Sequence, residues 1–328
     1  MNTDTTTELA CAVAAVRQAA TLCSRVRHGM VENATLTTDD RSPVTVADFG
    51  AQAVVLHHLA QAFPDDPVVG EEDADELRQA GHEAVKARVI QEVQAELHAL
   101  SENDILATID RGTHTGGAEG RFWTLDPIDG TKGFLRNDQY AIALALIENG
   151  KPILGVLGCP QLPLEHQGKE LGCLFVAVKG QGAHQYTLGG ELIGPISVSN
   201  TASAAEACFC ESVESGHSRH DWAAEVATRL GITKASVRMD SQCKYGAIAR
   251  GDADIYLRLP TRPGYEEKIW DHAAGCLVVE EAGGQVTDIT GKPLDFSLGR
   301  TLQDNRGVVA TNGNWHAAVI EAIEQAKA

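Results

Sequence analysis

Residues 123–134 read WTLDPIDGTKGF, a short and mostly apolar run that leads into two aspartates and a proline. Asp126 and Asp129 flank Pro127, which has no backbone N–H and so cannot simply continue a strand. Gly130 and Thr131 then permit a tight turn into the next element. The stretch therefore predicts the end of a strand, with two carboxylates at the turn.

The composition is that of a globular protein. The chain has 328 residues, 43% of them hydrophobic, which is enough for one large or two modest domains, and we predict two. Lys and Arg total 27 against 45 Asp and Glu, and the resulting net charge of −18 argues against a nucleic acid polymer as partner. An anionic substrate would therefore need cations as intermediaries.

The N-terminal stretch MNTDTTTELACAVAAVRQAA lacks a basic start and has a helical apolar pattern, so it does not resemble a signal peptide. No stretch approaches the ~18 uninterrupted apolar residues of a membrane span. The eight cysteines include no CxxC pair, which favours reduced thiols over a zinc site or a disulfide framework. We expect a cytoplasmic protein that does not act at a membrane.

Apolar spacing predicts helices over 8–28 and 46–63, a short strand in PVVGEED and a helix in EAVKARVIQEVQAELHAL. Two apolar runs around Asn149-Gly150 predict a hairpin, and CLFVAVKGQGAHQY predicts two more strands. From about residue 197 strands and helices alternate, which is typical of α/β architecture. We predict an α+β domain with an antiparallel sheet over residues 1–196 and an α/β domain over 197–328.

Five acids share one kind of position, an element end beside a turn: Asp48, Glu71, Asp126, Asp129 and Asp271. Mg²⁺ takes oxygen ligands, and the backbone carbonyl of Ile128, between two of these acids, could complete the set. Without a metal, clustered carboxylates would repel each other and any phosphate, whereas bound cations reverse the local sign. The pattern predicts a metal cleft.

Haloacid dehalogenase-type phosphatases use a similar DxDGT motif, in which the first aspartate is a covalent nucleophile. The spacing here is DxxDGT, and Pro127 follows the first aspartate. The extra residue changes which side chains face together. The motif therefore argues against that alternative.

Four ordered motifs resemble a known family, the lithium-sensitive, Mg²⁺-dependent phosphatases that include inositol monophosphatase, fructose-1,6-bisphosphatase and bisphosphate nucleotidase. The motifs are VTVADF, VVGEED, WTLDPIDGTKGF and KIWDHAAGCLVVEEAGG, and the resemblance covers nearly the whole chain. The segments ESVESGHSRHD, MDSQCKYGAIARGDADIYLRLP and GYEEKIWDHAAG are similar to the bisphosphate nucleotidase branch. The resemblance implies a five-layer αβαβα sandwich with the metal site at the junction of its halves.

The resemblance also implies roles for individual residues. Two or three Mg²⁺ ions would be held by Glu71, Asp126, Ile128, Asp129 and Asp271. Thr131 and Asp48 would form a dyad that orients or deprotonates the attacking water, and Glu71 would assist as a third catalytic residue. Contacts with the substrate are implied for Gly130, Thr131, His217, Ser241, Lys244, Arg258 and Asp271.

The implied activity is removal of the 3′-phosphate from adenosine 3′,5′-bisphosphate, which links the chain to sulfate assimilation, with 3′-phosphoadenylyl sulfate as a second substrate. A monomer, or at most a weak dimer, is expected. Two alternatives stay open, an inositol polyphosphate 1-phosphatase and an inactive nucleotide-sensing protein. Strand pairing is also expected to bring Cys159 and Cys173 together, as a redox-sensitive pair or as two inert buried thiols.

Overall fold

The computed structural model describes residues 5–32, 42–213, 219–262 and 264–326. Two long helices come first, α1 (Thr6–Glu32) and α2 (Ser42–Ala62), as the apolar spacing predicts. They pack against each other through small apolar side chains, and α1 also lies on strand β4 (Lys151–Pro163). By length and composition the Thr6–Gly29 part of α1 could cross a membrane, a criterion that core helices of soluble proteins also meet.

A seven-stranded sheet follows these helices, with its strands in sequence order. Its first two strands are parallel and all the others pair antiparallel, which agrees with the predicted antiparallel sheet. Residues 149 and 150 turn the predicted hairpin with φ of 49° and 72°, the left-handed conformation that Asn and Gly tolerate. The remaining strands of this sheet are β1 (Val68–Gly70), β2 (Arg121–Asp129), β3 (Ala141–Glu148), β5 (Leu171–Val178), β6 (Ala183–Thr187) and β7 (Leu192–Ile196).

Strand β2 ends at Asp129, within the stretch that predicts a strand end, but Pro127 does not interrupt the strand as expected. The pairing shifts at this point: Asp126 faces Ala143 and Asp129 faces Ala141, so β2 advances three residues while β3 advances two. Such a bulge leaves a residue outside the regular ladder, which is how a strand accommodates a proline without a missing hydrogen bond. The bulge lies between the two aspartates of the motif.

Shorter helices cover the connection between β1 and β2. They are α3 (Asp75–Arg78), α4 (Glu83–Glu96), α5 (Glu102–Ile109) and a 3₁₀ turn at Asp110–Gly112. Helix α5 begins at a capping box in which Ser101 and Asp104 each bond the other's backbone N–H. Helices α4 and α5 both pack on α2 and so complete the outer helical layer.

The second half alternates strands and helices as predicted and forms a five-stranded sheet in the order β11-β12-β10-β8-β9. Its strands are β8 (Phe209–Glu211), β9 (Val237–Arg238), β10 (Ile255–Arg258), β11 (Gln285–Thr287) and β12 (Val308–Thr311). The helices are α6 (Thr131–Arg136), which joins β2 to β3, and then α7 (His220–Leu230), α8 (Cys243–Ala249), α9 (Ala273–Glu281) and α10 (His316–Ala326).

Helices α8 and α9 lie between the two sheets. Both contact β4 of the first sheet as well as β10 or β12 of the second, and α7 and α10 pack together on the far side. Gly275 of α9 lies so close to the ring of Tyr245 in α8 that an added Cβ would be 2.3 Å from it. The layers are therefore helix, sheet, helix, sheet, helix, and the predicted five-layer αβαβα sandwich is confirmed.

Candidate active site

A cavity of about 630 Å³ opens where the ends of β1, β2 and β10 meet the start of α6 and the segment before α8. This volume lies in the range of about 300–1,000 Å³ that is typical of small-molecule sites. The cavity gathers most of the side chains predicted from sequence: Glu71, Asp126, Ile128, Asp129, Gly130, Thr131, Ser241, Lys244, Arg258 and Asp271. His217 lies outside the described residues.

Parallel pairing of β1 and β2 brings the first two acids together. Gly70 pairs with Leu125, and the backbone N–H of Glu71 donates to the carbonyl of Leu125 at 3.2 Å. The next residue of each strand, Glu71 and Asp126, therefore reaches the same carboxyl edge. Two segments more than fifty residues apart in sequence thus place adjacent carboxylates at the cavity.

Contacts around Gly130 join the two halves of the chain. Asp129 Oδ2 accepts a hydrogen bond from the backbone N–H of Gln242 at 2.6 Å. Gly130 has a φ of 93°, and a Cβ added there would lie 2.8 Å from Cβ of Ser241. Ser241 itself has a φ of 66°, an uncommon conformation for serine that often marks functional sites. Glycine is therefore required at position 130 for the close approach of Ser241.

The acids are poorly compensated within the protein. Asp126 is 2% exposed, and burial together with the charges of Glu71 and Asp129 raises its pKa well above the usual range. Desolvation, followed by Asp271 and Glu72, raises the pKa of Glu71 to about 8, although its side chain stays accessible to solvent. The pKa of Asp129 is raised to about 6 by burial and Asp271, against the opposing effect of Lys244 and Arg258.

This donor set fits a hard divalent cation. Within the described residues, Asp126 Oδ1 is buried and has no hydrogen-bond partner, which is unusual for a carboxylate oxygen. Carboxylates line the cavity together with Ile128, whose backbone carbonyl is the predicted further ligand, and Mg²⁺ prefers oxygen donors of this kind. A bound cation would also remove the mutual repulsion of the acids.

Asp48 lies behind this cluster. It belongs to α2, is 8% exposed and is not among the side chains that line the cavity. Burial and the charges of Glu72 and Glu71 raise its pKa well above the usual range. Helix α2 contacts α6, the helix that begins at Thr131, so the predicted dyad stays a prediction that the packing of its two helices supports.

Two of the basic residues that line the cavity, Lys244 and Arg258, act on the charge of Asp129. Lys244 is 4% exposed, its Nζ donates to the carbonyl of Met239 at 3.4 Å, and burial lowers its pKa. Arg258 bonds two carboxylates, Glu267 through Nε at 2.8 Å and Asp271 through Nη2 at 3.0 Å. Burial lowers the pKa of Arg258, but the charges of these two carboxylates have the larger effect. The pKa of Arg258 is therefore raised above its usual value. Lys244 and Arg258 therefore place positive charge beside the acids.

Several cavity residues escaped the sequence interpretation. Lys132, Arg136, Tyr256 and Tyr265 line the cavity, and Arg136 forms an ion pair with Asp240. Gln242 has a supporting role, since its side chain bonds the carbonyl of Trp270 at 2.8 Å and the N–H of Gly275 at 3.2 Å. All of these residues except Arg136 stand inside segments already singled out, and that was their signal in the sequence.

Cys159 and Cys173 face each other across β4 and β5, so their predicted proximity is confirmed. Both are buried and free in the structure. A nearby thiol, Cys243, and burial raise the pKa of Cys159, and burial raises the pKa of Cys173 to about 12. Such thiols react slowly, and the redox response itself stays a prediction.

The chain belongs to the inositol monophosphatase family, whose sequence profile matches residues 2–328. Members of this family are generally Mg²⁺-dependent. Among similar solved structures, inositol monophosphatase from Anabaena covers 98% of this chain and 97% of its own, at 21% identity and a TM-score of 0.64. The Zymomonas mobilis inositol monophosphatase covers 100% of both chains at 21% identity, also with a TM-score of 0.64. These structures share the fold.

Relatives with higher identity carry a more specific name. The chain is 48% identical to the 3′(2′),5′-bisphosphate nucleotidase of Schizosaccharomyces pombe, over 95% of this chain and 93% of that one. It is 46% identical to the 3′(2′),5′-bisphosphate nucleotidase of Oryza sativa, over 97% and 94%. It is 44% identical to 3′(2′),5′-bisphosphate nucleotidase 1 of Candida albicans, over 97% and 95%. The predicted resemblance to this branch is confirmed.

Proposed function

We propose that this protein is a phosphomonoesterase that removes the 3′-phosphate of adenosine 3′,5′-bisphosphate, giving AMP and phosphate. The observation that carries the proposal is one cavity in which a poorly compensated acid cluster lies beside the cations Lys244 and Arg258. The acids suit a metal-assisted attack on one phosphate, and the cations suit a second phosphate. Relatives at 44–48% identity that are named 3′(2′),5′-bisphosphate nucleotidase support this reading.

By this proposal two or three Mg²⁺ ions are held by the cavity oxygens of Glu71, Asp126, Ile128, Asp129 and Asp271. When bound, such ions supply charge neutralisation at the phosphate, activation of a water and stabilisation of the leaving oxygen. Hydrolysis of a phosphate monoester can need an acceleration of up to ~10²¹, far more than the ~10²–10⁴ that one general base contributes. The acids alone are therefore insufficient.

The chain's own residues supply the proton chemistry. In the proposed dyad, Thr131 Oγ1 orients the attacking water and the Asp48 carboxylate accepts the proton, while Glu71 assists from the cavity. In the metal-free protein, burial and the charges of Glu72 and Glu71 raise the pKa of Asp48, which is the direction expected of a group that accepts a proton. Thr131 and Gly130 are also proposed to contact the phosphate that is removed.

Recognition of the nucleotide is assigned to the other side of the cavity. Arg258 and Lys244 are proposed to bind the 5′-phosphate with charge-assisted hydrogen bonds, and arginine can do so with two donors at once. Ser241, Asp271 and the sequence-predicted His217 complete the proposed contacts. The same chemistry accommodates 3′-phosphoadenylyl sulfate, which would place the reaction in sulfate assimilation.

We also propose the division into domains 1–196 and 197–328. Every strand of the seven-stranded sheet ends by residue 196, and every strand of the five-stranded sheet begins after it. The cavity draws residues from both parts. A monomeric enzyme in the cytoplasm is the corresponding proposal for its state and location, and eight free cysteines are in keeping with a reducing compartment.

A phosphate-release assay tests the proposed function. Purified protein is given adenosine 3′,5′-bisphosphate, 3′-AMP, inositol 1-phosphate and inositol 1,4-bisphosphate, each with Mg²⁺ and with EDTA. We expect Mg²⁺-dependent release with the highest kcat/KM for adenosine 3′,5′-bisphosphate. Preference for the inositol bisphosphate would favour the inositol polyphosphate phosphatase alternative. Binding without phosphate release from any substrate would favour the nucleotide-sensing alternative.

A further inference from the structure

Behind Arg258 runs a chain of polar contacts that the proposed chemistry does not use. Tyr245 Oη and His272 Nδ1 are 2.8 Å apart, and His272 Nε2 lies 3.2 Å from Glu267 Oε2. The same Glu267 oxygen accepts a hydrogen bond from Arg258 Nε at 2.8 Å. Tyr245 and His272 are at most 1% exposed and Glu267 is 5% exposed. Water has little access to these contacts.

The four residues in these contacts come from two elements and from the connection between β10 and α9. Tyr245 belongs to α8, His272 precedes α9, Glu267 lies in the connection before it, and Arg258 ends β10. Glu267 does not line the cavity, whereas Arg258 does. The contacts thus connect the buried helical layer between the sheets to one cation at the cavity wall.

Arg258 needs such support because its other carboxylate partner has a second role. Its Nη2 donates to Asp271, which the proposed function assigns to the metal site. If Asp271 were the sole partner of Arg258, the guanidinium would share that carboxylate with the metal ion. An arginine charge with a weakened partner in a desolvated site is costly. Glu267 offers a carboxylate outside the cavity that is never shared with a ligand.

The charges of Glu267 and Arg258 stabilise each other. Burial favours the neutral form of Glu267, but Arg258 and the hydrogen bond from His272 outweigh it and lower its pKa to about 2. Glu267, Asp271 and His272 could also be viewed as a cation site, because one ligand atom of each lies within 4.8 Å of the others. A cation there would meet the guanidinium of Arg258 already bonded to both carboxylates. The arrangement therefore suits an anchor for arginine.

We propose that Glu267 is a positioning residue for substrate choice: held by His272 and Tyr245, it fixes Arg258 in the orientation that binds the 5′-phosphate. This inference rests on the proposed function. Glu267 touches neither substrate nor metal in this account, and it acts only through Arg258. Orienting the guanidinium before substrate arrives reduces the ordering that binding would otherwise require.

The test compares kcat/KM for adenosine 3′,5′-bisphosphate with kcat/KM for 3′-AMP, which lacks the 5′-phosphate. Glu267→Gln keeps the size of the side chain but removes its charge. We expect this ratio to fall roughly tenfold, about 1.4 kcal/mol, mainly through a higher KM for the bisphosphate. The same substitution in an Arg258→Ala background should leave the ratio of that background unchanged, because Glu267 acts through Arg258.

A matched control is Asp252→Asn, which disrupts another poorly exposed ion pair, with Arg250, away from the cavity. It should leave the substrate ratio unchanged even where it lowers stability. Tyr245→Phe removes only the hydroxyl that holds His272 and should lower the ratio about two- to threefold. If Glu267→Gln does not fold, the substrate ratio of Tyr245→Phe tests the proposal instead.

An unchanged ratio in Glu267→Gln, or in Tyr245→Phe where Glu267→Gln does not fold, would overturn the inference. A tenfold further fall in the Arg258→Ala background would also overturn it, because Glu267 would then act independently of Arg258. A wild-type protein without preference for the bisphosphate would overturn the proposed function and this inference together. The two failures are thus distinguishable on the wild-type protein alone.

Discussion

Two glutamates of the site, Glu71 and Glu267, differ by several units in pKa although both lie among charged neighbours. Desolvation and the surrounding acids raise the pKa of Glu71 to about 8. Burial also favours a raised pKa at Glu267, but Arg258 and His272 outweigh this effect and lower the pKa to about 2. The first belongs to the acid side of the cavity, with Asp126 and Asp129, and the second supports the cation side.

The difference shows where each side obtains its compensating charge. On the cation side the protein supplies both signs, so Arg258 is already oriented before any ligand binds. On the acid side Asp126 keeps an oxygen without a partner among the described residues, and the carboxylates repel one another. The compensating charge must come from outside. We infer that the acid side serves catalysis through metal, whereas the cation side serves recognition.

Asp126→Asn is expected to have the largest effect, because it removes charge from the centre of the acid side while preserving size. We expect kcat to fall on the order of a thousandfold for every phosphomonoester, with the fold intact. Asp254→Asn is a matched control, since Asp254 is 3% exposed but bonds only structural groups such as the N–H of Cys208. Steady-state rates that stay within tenfold of wild type for Asp126→Asn would contradict the assignment.

Arg258→Ala tests the cation side, with a smaller and selective effect. A hydrogen bond to a charged group contributes about 1.5–3 kcal/mol, so kcat/KM for adenosine 3′,5′-bisphosphate should fall roughly ten- to a hundredfold. Hydrolysis of 3′-AMP should change little. Arg250→Ala, at an arginine outside the cavity, serves as the control. An equal loss for both substrates would mean that Arg258 supports the fold or the metal site.

The acid side also predicts how the metal-free protein responds to pH. Because the folded-state pKa values of Asp126, Asp129 and Glu71 are raised, the folded state binds protons more tightly than the unfolded chain. Their contribution to stability is fully present below the unfolded values near 4 and is lost as pH rises through the folded values.

The melting temperature in EDTA should therefore fall by several degrees between pH 5 and pH 8. Asp126→Asn should reduce this fall, since one of the repelling charges is absent. Calorimetry of both proteins across this range measures the difference. A melting temperature that rises with pH in the wild type, with no difference from the variant, would show that the acids are compensated by other groups.

The smallest effect is expected at Cys159 and Cys173. Residues directly opposite in an antiparallel pair have Cα atoms about 4.5–5.5 Å apart, which permits a disulfide. Both thiols are buried with raised pKa values, so we expect oxidant to slow the enzyme reversibly by less than about twofold. Cys173→Ser should not respond. Equal sensitivity of that variant would exclude this pair.

Much of the fold could be predicted because local pattern and tertiary structure agree. The helices α1 and α2, the turn at Asn149-Gly150 and the alternating second half all match their apolar periodicity. Strand β7 was not predicted, since LIGPI contains both Gly and Pro and is half exposed at the sheet edge. Strand β2 continues through Pro127 against expectation, because a bulge accommodates this residue.

The site was predictable as far as its motifs place acids at element ends. Asp48 was predicted with the others, but only the packing of α2 shows that it lies behind the cavity. Glu267 stands in the quoted segment GYEEKIWDHAAG, and nothing in that segment identifies its partner. Arg258 and Tyr245 precede Glu267 by nine and 22 residues, and only the two-sheet fold brings these residues close together.

Calorimetric titration measures whether the acid side binds metal while the cation side binds the nucleotide. Wild type, Asp126→Asn and Arg258→Ala are each titrated with Mn²⁺ as a probe for the metal and with AMP, which carries only the 5′-phosphate. Asp126→Asn should weaken Mn²⁺ binding at least tenfold and leave AMP binding nearly unchanged. Arg258→Ala should weaken AMP binding at least tenfold and bind Mn²⁺ no less tightly. Loss of both ligands in both variants would show that the two sides do not have separate roles.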